Sequence, residues 1–294
     1  MKMLKQFPKN IQQFLLESYG KPLLKNKLNG IKAEGGCYRV DFSDYSVIVK
    51  QMTRPQEYLF YNECSHYLKE FSKNIPDLYW SYRDENEYWI VIENITYALP
   101  KDRWQADEQV LRALFLFHKE TWGKGVPIED FYILKWDNQM TNRVLELYSD
   151  KASNKLQPML IKVQEESQQL FKSHCWINAD TNPTNWGIRN DGSVVLFDWE
   201  RINYGSPAID LSITMPGLGT ADNSLELSII KKYLKMWSNA ELDFPFSERK
   251  LLKQIKLAKV WSVVEFLDNN ADTLDADTLQ GMLTGLAEKL YELC

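Results

Sequence analysis

The sequence has few of the residues that bind zinc or build disulfide frameworks. It contains four cysteines and three histidines in 294 residues, and no two cysteines form a C-x-x-C pair. A structural zinc site or a fold stapled by disulfides is therefore not expected. The simplest interpretation is that the cysteines are free thiols in a reducing cytoplasm.

Long apolar runs and an excess of basic residues are also missing. No stretch of about 18 apolar residues occurs, so no membrane-spanning helix and no membrane partner are expected. The opening segment MKMLKQFPKN turns polar too soon for a signal peptide, which agrees with a cytoplasmic location. The net charge is −5, from 35 Lys and Arg against 40 Asp and Glu, and this argues against a nucleic-acid partner, whose binding surface is normally basic.

The signatures of several enzyme classes are absent as well. There is no G-x-S-x-G nucleophile elbow, no H-E-x-x-H metalloprotease pair and no Walker A G-K-[ST]. Internal repeats and low-complexity segments are missing too. The composition, 44% hydrophobic and 26% charged, is that of an ordinary globular protein with room for one large domain or two smaller ones.

What the sequence does contain is a spaced set of oxygen-bearing side chains. Asp180 is followed five residues later by Asn185, and Asp198 comes thirteen residues after that. Such oxygens suit a hard cation such as Mg²⁺, which takes few protein ligands and adds phosphate oxygens. The pattern D-x-x-x-x-N followed by D is typical of the catalytic and metal-binding loops of kinase-type phosphotransferases. A turn signal at residues 190–192 predicts a hairpin whose ends bring these side chains close together.

A second hairpin is predicted near the start of the chain. Gly35 and Gly36 lead into a strand at residues 37–42, and residues 45–50 form the next strand. Glycine allows backbone N–H groups to approach phosphates closely, although most glycine pairs are simply turns. Lys50 ends the second strand, where a nucleotide kinase needs a cation that is tethered by a glutamate on a helix.

The helix predicted from Thr53 to about Lys73 offers two partners for Lys50. At about 100° per residue, Glu57 falls in the middle of the apolar face and Glu63 falls at its edge. A carboxylate on an apolar face is costly unless it is paired, which favours Glu57 and keeps Glu63 as the alternative.

The order of elements, strands first and helices later, predicts the fold class. Two more strands are expected at residues 78–82 and 88–93, and amphipathic helices follow at 105–120, 155–173, 224–238, 247–267 and 276–293. This order fits an α+β, bilobal fold with a small N-terminal antiparallel sheet lobe and a larger, mainly helical C-terminal lobe. We place the lobes at residues 1–95 and 96–294. His118, near the end of an apolar helix, is expected to be a hydrogen-bonded core residue rather than a catalyst.

Several motifs together resemble one known family. They are Asp180-x-x-x-x-Asn185, Phe197-Asp198-Trp199-Glu200, the segment 205–211, Glu57-x-x-Phe60-Tyr61, the segment 91–95 and Leu116-Phe117-His118. Over residues 25 to 212 the chain resembles the aminoglycoside phosphotransferase and choline kinase group of small-molecule kinases. That resemblance implies the protein-kinase-like fold.

The resemblance also implies an activity, namely transfer of the γ-phosphate of ATP, with Mg²⁺, to a hydroxyl of an aminoglycoside-, choline- or sugar-like small molecule. Asp180 would orient or deprotonate that hydroxyl, and Asn185 and Asp198 would bind Mg²⁺. Asp210 would buttress the catalytic loop. Neither the acceptor nor an oligomeric state is specified by the pattern.

The residues that would contact ATP lie in the N-terminal lobe: Lys50, Glu57, Gly35, Gly36, Glu93 and Ile95. Lys50 would hold the phosphates, with Glu57 fixing it in place. Backbone groups of Glu93 and Ile95 would bind the adenine edge.

One position departs from the family pattern. His-Gly or His-Asn usually precedes the catalytic Asp, whereas Asn178-Ala179 stands here. Asn can still donate and accept hydrogen bonds, and Ala179 matters only if its position needs a positive φ. The departure keeps open an alternative function, a nucleotide-binding pseudokinase that acts as a scaffold or regulator.

Overall fold

The computed structural model of the protein describes residues 2–28, 35–84, 87–125, 127–128, 132–215 and 217–294. Within them, the strands are β1 (Leu24–Leu28), β2 (Gly35–Asp41), β3 (Ser46–Met52), β4 (Leu78–Arg83), β5 (Tyr88–Glu93), β6 (Tyr97–Ala98), β7 (Cys175–Ile177), β8 (Trp186–Ile188), β9 (Val194–Leu196) and β10 (Asn203–Gly205). The α-helices are α1 (Lys9–Tyr19), α2 (Gln56–Leu59), α3 (Glu108–Thr121), α4 (Asn138–Glu146), α5 (Asp150–Ser167), α6 (Pro207–Ile213), α7 (Ser224–Asn239), α8 (Glu248–Asn270) and α9 (Ala276–Leu293).

The chain forms two compact units. The first unit comprises Met1–Ala98, Pro127–Tyr132 and Thr184–Ile202. The second unit comprises Leu99–Val126, Ile133–Pro183 and Asn203–Cys294. The segment that carries Asn185 and Asp198 therefore belongs to the first unit, together with the N-terminal strands.

The first unit is built on an antiparallel sheet of order β1-β2-β3-β5-β4. Side chains alternate between the two faces of the sheet. Val40, Val47, Val49, Trp89 and Val91 lie on one buried face, which packs against Ile11 and Leu15 of α1. Gly20 ends α1 with φ 80°, a backbone conformation that favours glycine. Because successive side chains of a strand point to opposite faces, Lys50 points away from the face that α1 covers.

A second, three-stranded sheet of order β6-β8-β9 also lies in the first unit. The hairpin β8–β9 pairs Trp186 with Leu196, and Gly192 in its turn has φ 85°. The turn signal in the sequence therefore marks a real hairpin. Its two ends carry Asn185 and Asp198.

The prediction of one long helix from Thr53 to about Lys73 is wrong. The structure has the short helix α2, a π-helical turn at Phe60–Cys64 and separate 3-10 turns at Ser65–Tyr67 and Phe71–Asn74. Phe60 and Phe71 both contact Trp199, with ring centroids 3.8 and 5.9 Å away. Eleven residues of straight helix would separate the two by about 16 Å, so the chain must turn back for both rings to reach the same indole.

The second unit is mainly helical. The helix α6 packs against α8, and α3 packs against α7, while β7 pairs with β10. The helix α4 was not predicted, although Asp137 caps its start by accepting a hydrogen bond from the Met140 N–H. Among the described helices, none is both long and apolar enough to cross a membrane.

The second unit also buries a lysine. Lys259 on α8 is 3% exposed, and its ammonium group donates to the carbonyl oxygens of Met215 and Gly217, the latter 2.8 Å away. Burial lowers the pKa of Lys259 from 10.5 to about 7, with Glu226 opposing this shift and Lys289 adding to it.

This lysine predicts a pH dependence of stability. Between pH 7 and 10.5 the unfolded chain keeps the Lys259 proton while the folded protein has lost it, so stability rises with pH in this window. Relative to Lys259→Met, the free energy of unfolding should rise by up to about 1 kcal/mol per pH unit there and be flat below it. Urea unfolding of both proteins below, within and above the window measures the difference. Identical pH profiles would contradict the prediction.

Candidate functional site

The centre of the candidate site is the ammonium group of Lys50. Its Nζ forms an ion pair with the Glu57 carboxylate, which is 1% exposed, and lies 3.0 Å from Asp198 Oδ1 and 3.3 Å from Glu200 Oε1. Glu63, the alternative partner, is exposed. The structure thus brings together Lys50, Glu57 and Asp198 from three separate parts of the chain.

Burial and charge act in opposite directions on this group. Burial raises the pKa of Glu57 to about 7, although Lys50 opposes that shift. Burial also works to lower the pKa of Lys50, but Glu57, Asp198 and Glu200 outweigh it and raise that pKa well above its usual value. Lys50 therefore stays positively charged at neutral pH, as a group that binds phosphate must be.

The glycine pair lies on the strand next to Lys50. In the pairing of β2 with β3, Gly36 is opposite Gln51 and Cys37 is opposite Lys50. Gly35 has φ 123°, and a Cβ there would lie 2.3 Å from the carbonyl oxygen of Gln51, so only glycine fits. Burial raises the pKa of Cys37 to about 11, which keeps this neighbouring thiol protonated and unreactive.

Oxygen donors suited to Mg²⁺ surround the Lys50 group. Single carboxylate oxygens of Glu57, Asp198 and Glu200 lie within 4.8 Å of one another. The Phe197 N–H donates to the Asn185 carbonyl oxygen at 3.1 Å, which brings the backbone of Asn185 next to the residue that precedes Asp198. An all-oxygen donor set fits a hard cation. No role was predicted for Glu200, although its position two residues after Asp198 was the available signal.

An aromatic stack holds the acidic segments together. The ring of Phe60 lies parallel to that of Trp199, with centroids 3.8 Å and planes 9° apart, and Trp199 is fully buried. Phe60 follows α2, which carries Glu57, and Trp199 stands between Asp198 and Glu200. Stacking of these two rings thus holds the segments that carry the carboxylates next to Lys50.

The predicted hinge lies at the end of β5. The Glu93 N–H donates to the Asp77 carbonyl oxygen at 2.9 Å, so its carbonyl oxygen is the backbone group that remains a candidate for a base. The Asn94 side chain donates to Ser46 Oγ at 2.8 Å and ties this segment to β3. The adenine contacts of Glu93 and Ile95 stay predictions.

The loop that ends in Asp180 is held by Asp210 of α6. This carboxylate is fully buried and accepts from the N–H groups of Asn178 at 3.1 Å and Ala179 at 2.8 Å. The side chain of Asn178 in turn accepts from the Asp180 N–H at 2.9 Å. Asp210 therefore supports the loop as the resemblance implied, and Asn178 supplies an internal hydrogen bond of its own.

His118 completes this support from α3. It is fully buried, with Nε2 3.0 Å from Asp210 Oδ2 and Nδ1 2.9 Å from the Tyr233 hydroxyl. Because a carboxylate only accepts, His118 Nε2 donates to Asp210, and the second ring nitrogen shares a hydrogen bond with the Tyr233 hydroxyl. His118 is a hydrogen-bonded core residue, as the sequence predicted.

Asp180 is partly buried and belongs to the second unit, whereas Asn185 and Asp198 belong to the first. Their meeting around one Mg²⁺ ion stays a prediction.

Ala179 has φ 59°, in the left-handed region where a Cβ is unfavourable. We expect Ala179→Gly to raise the free energy of unfolding by about 0.5–1 kcal/mol, because the backbone stays pinned by Asp210 while the strain is removed. The matched control is Ala208→Gly in α6, which is equally buried and should lower stability by about 1 kcal/mol. Chemical denaturation of the three proteins tests this, and a loss of stability in Ala179→Gly would contradict the strain argument.

Comparison with known proteins gives a clear result for structure and none for sequence. No family model matches the chain, and no curated protein matches its sequence. Solved structures do match over nearly the whole chain. A spectinomycin phosphotransferase bound to ADP and spectinomycin has a TM-score of 0.63 at 13% identity, covering 97% of this chain and 98% of that one. The fold is protein-kinase-like.

Two further structures share this protein-kinase-like fold. A choline kinase from Streptococcus pneumoniae has a TM-score of 0.60 at 14% identity, covering 97% of this chain and 98% of the other. A putative fructosamine-3-kinase from Haemophilus somnus 129PT has a TM-score of 0.57 at 11% identity, covering 94% and 96%. The predicted α+β fold class, with an N-terminal antiparallel sheet followed by a mainly helical remainder, is confirmed. At these identities the likeness concerns the fold alone.

Proposed function

We propose that the protein is an ATP- and Mg²⁺-dependent phosphotransferase that transfers the γ-phosphate to a hydroxyl of a small molecule. The observation that carries the proposal is the buried Lys50–Glu57 ion pair beside Asp198. A protein-kinase-like site needs this arrangement, in which a helix glutamate fixes a lysine next to the metal-binding aspartate. Chance surface pairs do not bury a carboxylate to 1% exposure.

The residues of the first unit would bind and orient ATP. Lys50, held cationic by its carboxylates, attracts the phosphate oxygens, and the strand that starts at Gly35 offers backbone N–H groups close by. Asn185 and Asp198 would hold Mg²⁺, with Glu200 as a further oxygen donor. Bound Mg²⁺ neutralises charge on the phosphate oxygens. Backbone groups of Glu93 and Ile95 would recognise the base.

The second unit would supply the acceptor side of the reaction. Asp180, at the end of a loop that Asp210 and Asn178 hold, would accept a hydrogen bond from the acceptor hydroxyl and orient it for attack. In phosphoryl transfer, positioning and charge neutralisation supply most of the catalysis, so a rigid loop matters more than a strong base.

The known structures agree with this proposal. The spectinomycin phosphotransferase structure holds ADP and a small-molecule antibiotic, and choline kinase and fructosamine-3-kinase are named for small acceptors. We therefore propose an aminoglycoside-, choline- or sugar-like acceptor and a cytoplasmic site of action. The pseudokinase alternative rests on Asn178-Ala179, and the hydrogen bond from Asp180 to Asn178 argues against interpreting that departure as a collapsed loop.

Two measurements test the function. A thermal shift with Mg-ATP measures nucleotide binding, and ATP turnover is then assayed against a panel of amino sugars, choline-like amines and sugars. The expected result is stabilisation by Mg-ATP and turnover with at least one acceptor class. Binding without turnover on any acceptor favours the pseudokinase alternative, and absence of binding overturns both functions.

A further inference from the structure

The small sheet β6-β8-β9 connects the two ends of the proposed nucleotide site. Its edge strand β6 continues the hinge, and Tyr97 pairs with Ile188 while Ala98 pairs with Gly187. The hairpin β8–β9 carries Asn185 immediately before β8 and Asp198 shortly after β9. The segment expected to recognise the base and the residues expected to bind the metal are therefore attached to the same sheet.

Arg189, directly after β8, forms an ion pair with the side chain of Glu93 in the hinge. Its Nε donates to Glu93 Oε1 at 2.8 Å and its Nη2 donates to Glu93 Oε2 at 2.6 Å, a bidentate pair in which each side chain is about one-fifth exposed. The same guanidinium donates to the carbonyl oxygens of Lys73 and Ile75, the latter at 2.8 Å. Arg189 thus joins three stretches of chain at the hinge.

Two further contacts hold the hinge against the sheet β6-β8-β9. A Cβ on Gly187 would lie 2.4 Å from Ile95 Cγ2 and 3.0 Å from the Tyr97 carbonyl oxygen, so the hinge packs directly on the glycine backbone. Asn74 donates to the Val194 carbonyl oxygen at 2.7 Å and anchors β9 to the same segment that Arg189 binds. The Glu93 carboxylate accepts from Arg189 and, at 3.2 Å, from the Asp77 N–H. Its backbone carbonyl oxygen is then the group that this residue would offer to a ligand.

The geometry points to Arg189 and Gly187 as positioning residues that set the place of the hinge relative to the metal-binding residues, and hence the affinity for the nucleoside part of the nucleotide. This inference rests on the proposed function. Neither residue would touch the reacting phosphate. Both act through the hinge, so their loss should weaken base recognition while leaving phosphate binding at Lys50 intact.

The test compares Mg-ADP with Mg-tripolyphosphate, which has no base, by calorimetry on the full chain. Arg189→Met is expected to weaken Mg-ADP binding about tenfold and to leave tripolyphosphate binding within about twofold. Arg189→Lys should recover only part of the loss, because an ammonium group cannot form the bidentate pair. Gly187→Ala should weaken Mg-ADP binding in the same way. The double variant Arg189→Met/Glu93→Gln should bind Mg-ADP no more weakly than Arg189→Met alone, because the two residues act as one pair.

The matched control is Arg103→Met in the second unit. Arg103 forms a comparable bidentate pair with Asp107, at 2.6 and 3.0 Å, so its loss reports on stability without touching the hinge. Wild-type affinity for Mg-ADP in Arg189→Met, or equal loss of both ligands, overturns the inference. If the wild-type protein itself fails to bind Mg-ADP, the proposed function fails first, and that failure is seen without any variant.

Discussion

Asp180→Ala is expected to lower phosphoryl transfer by about a thousandfold while nucleotide affinity changes by only several-fold. The reason is a division of roles between the two units. The residues expected to bind ATP lie in the first unit, whereas Asp180 lies in the second, on a loop held by Asp210. Removing the Asp180 carboxylate leaves the hydrogen bonds of that loop backbone in place.

Turnover with an accepted substrate and calorimetric affinity for Mg-ATP measure the two effects separately. Asp180→Asn, which keeps the size and removes the charge, should be nearly as inactive as Asp180→Ala. Asp243→Ala, at an exposed carboxylate of the same unit, is the control and should retain wild-type turnover. A loss of about a hundredfold in Mg-ATP affinity upon Asp180→Ala would instead assign this residue to nucleotide binding.

Lys50→Met is expected to affect both stability and activity. It leaves the buried Glu57 carboxylate without its closest cation, which should lower the free energy of unfolding by about 3 kcal/mol at pH 8. Activity should fall at least about a hundredfold, because the phosphates lose their fixed positive charge. Lys135→Met, which removes an exposed ion pair with Asp137, is the control and should cost less than about 1 kcal/mol.

The two effects can be separated by a second change. In Lys50→Met/Glu57→Met the unpaired carboxylate is gone, so stability should largely return while activity stays low. The pH dependence gives an independent check. Burial raises the pKa of Glu57 from 4.5 to about 7 while Lys50 opposes that shift, so removal of Lys50 raises this pKa further. The penalty in Lys50→Met should therefore shrink as pH falls from 8 towards 7 and stay constant just below 7.

Urea unfolding of these variants at two pH values, together with kcat/KM for ATP, gives all the required measurements. Full recovery of activity in the double variant would show that Lys50 has only a structural role. If the stability loss in Lys50→Met did not depend on pH, the unpaired Glu57 carboxylate would not be its cause.

Much of the candidate site followed from spacing along the chain. Asp180, Asn185 and Asp198 were found by their intervals, and Glu57 was preferred over Glu63 because a carboxylate on an apolar helix face needs a partner. The structure places Glu57 against Lys50 and leaves Glu63 exposed. The same local rules located the turn at residues 190–192.

Other features had no local signal. The helix expected to continue to Lys73 is interrupted because Phe60 and Phe71 must reach one tryptophan far along the chain. The pairing of Arg189 with Glu93 joins residues that are 96 positions apart, and no local pattern around either residue predicts the other as its partner. Ala179 looked acceptable as a residue type, and its positive φ became visible only in the folded backbone.

Periodicity, turn chemistry and motif spacing depend on neighbours within a few residues. They predicted the fold class, the strands β2 to β5, the helices α3, α5, α7, α8 and α9, and the candidate catalytic and metal-binding positions. Three features of the structure join distant segments instead. They are the ion pairs of Lys50, the support of the Asp180 loop by Asp210 and His118, and the ion pair of Arg189 with Glu93 in the hinge. Their energies depend on burial and on distances that exist only once the chain has folded, because a charge in water has no need of the partner that it must have in the interior.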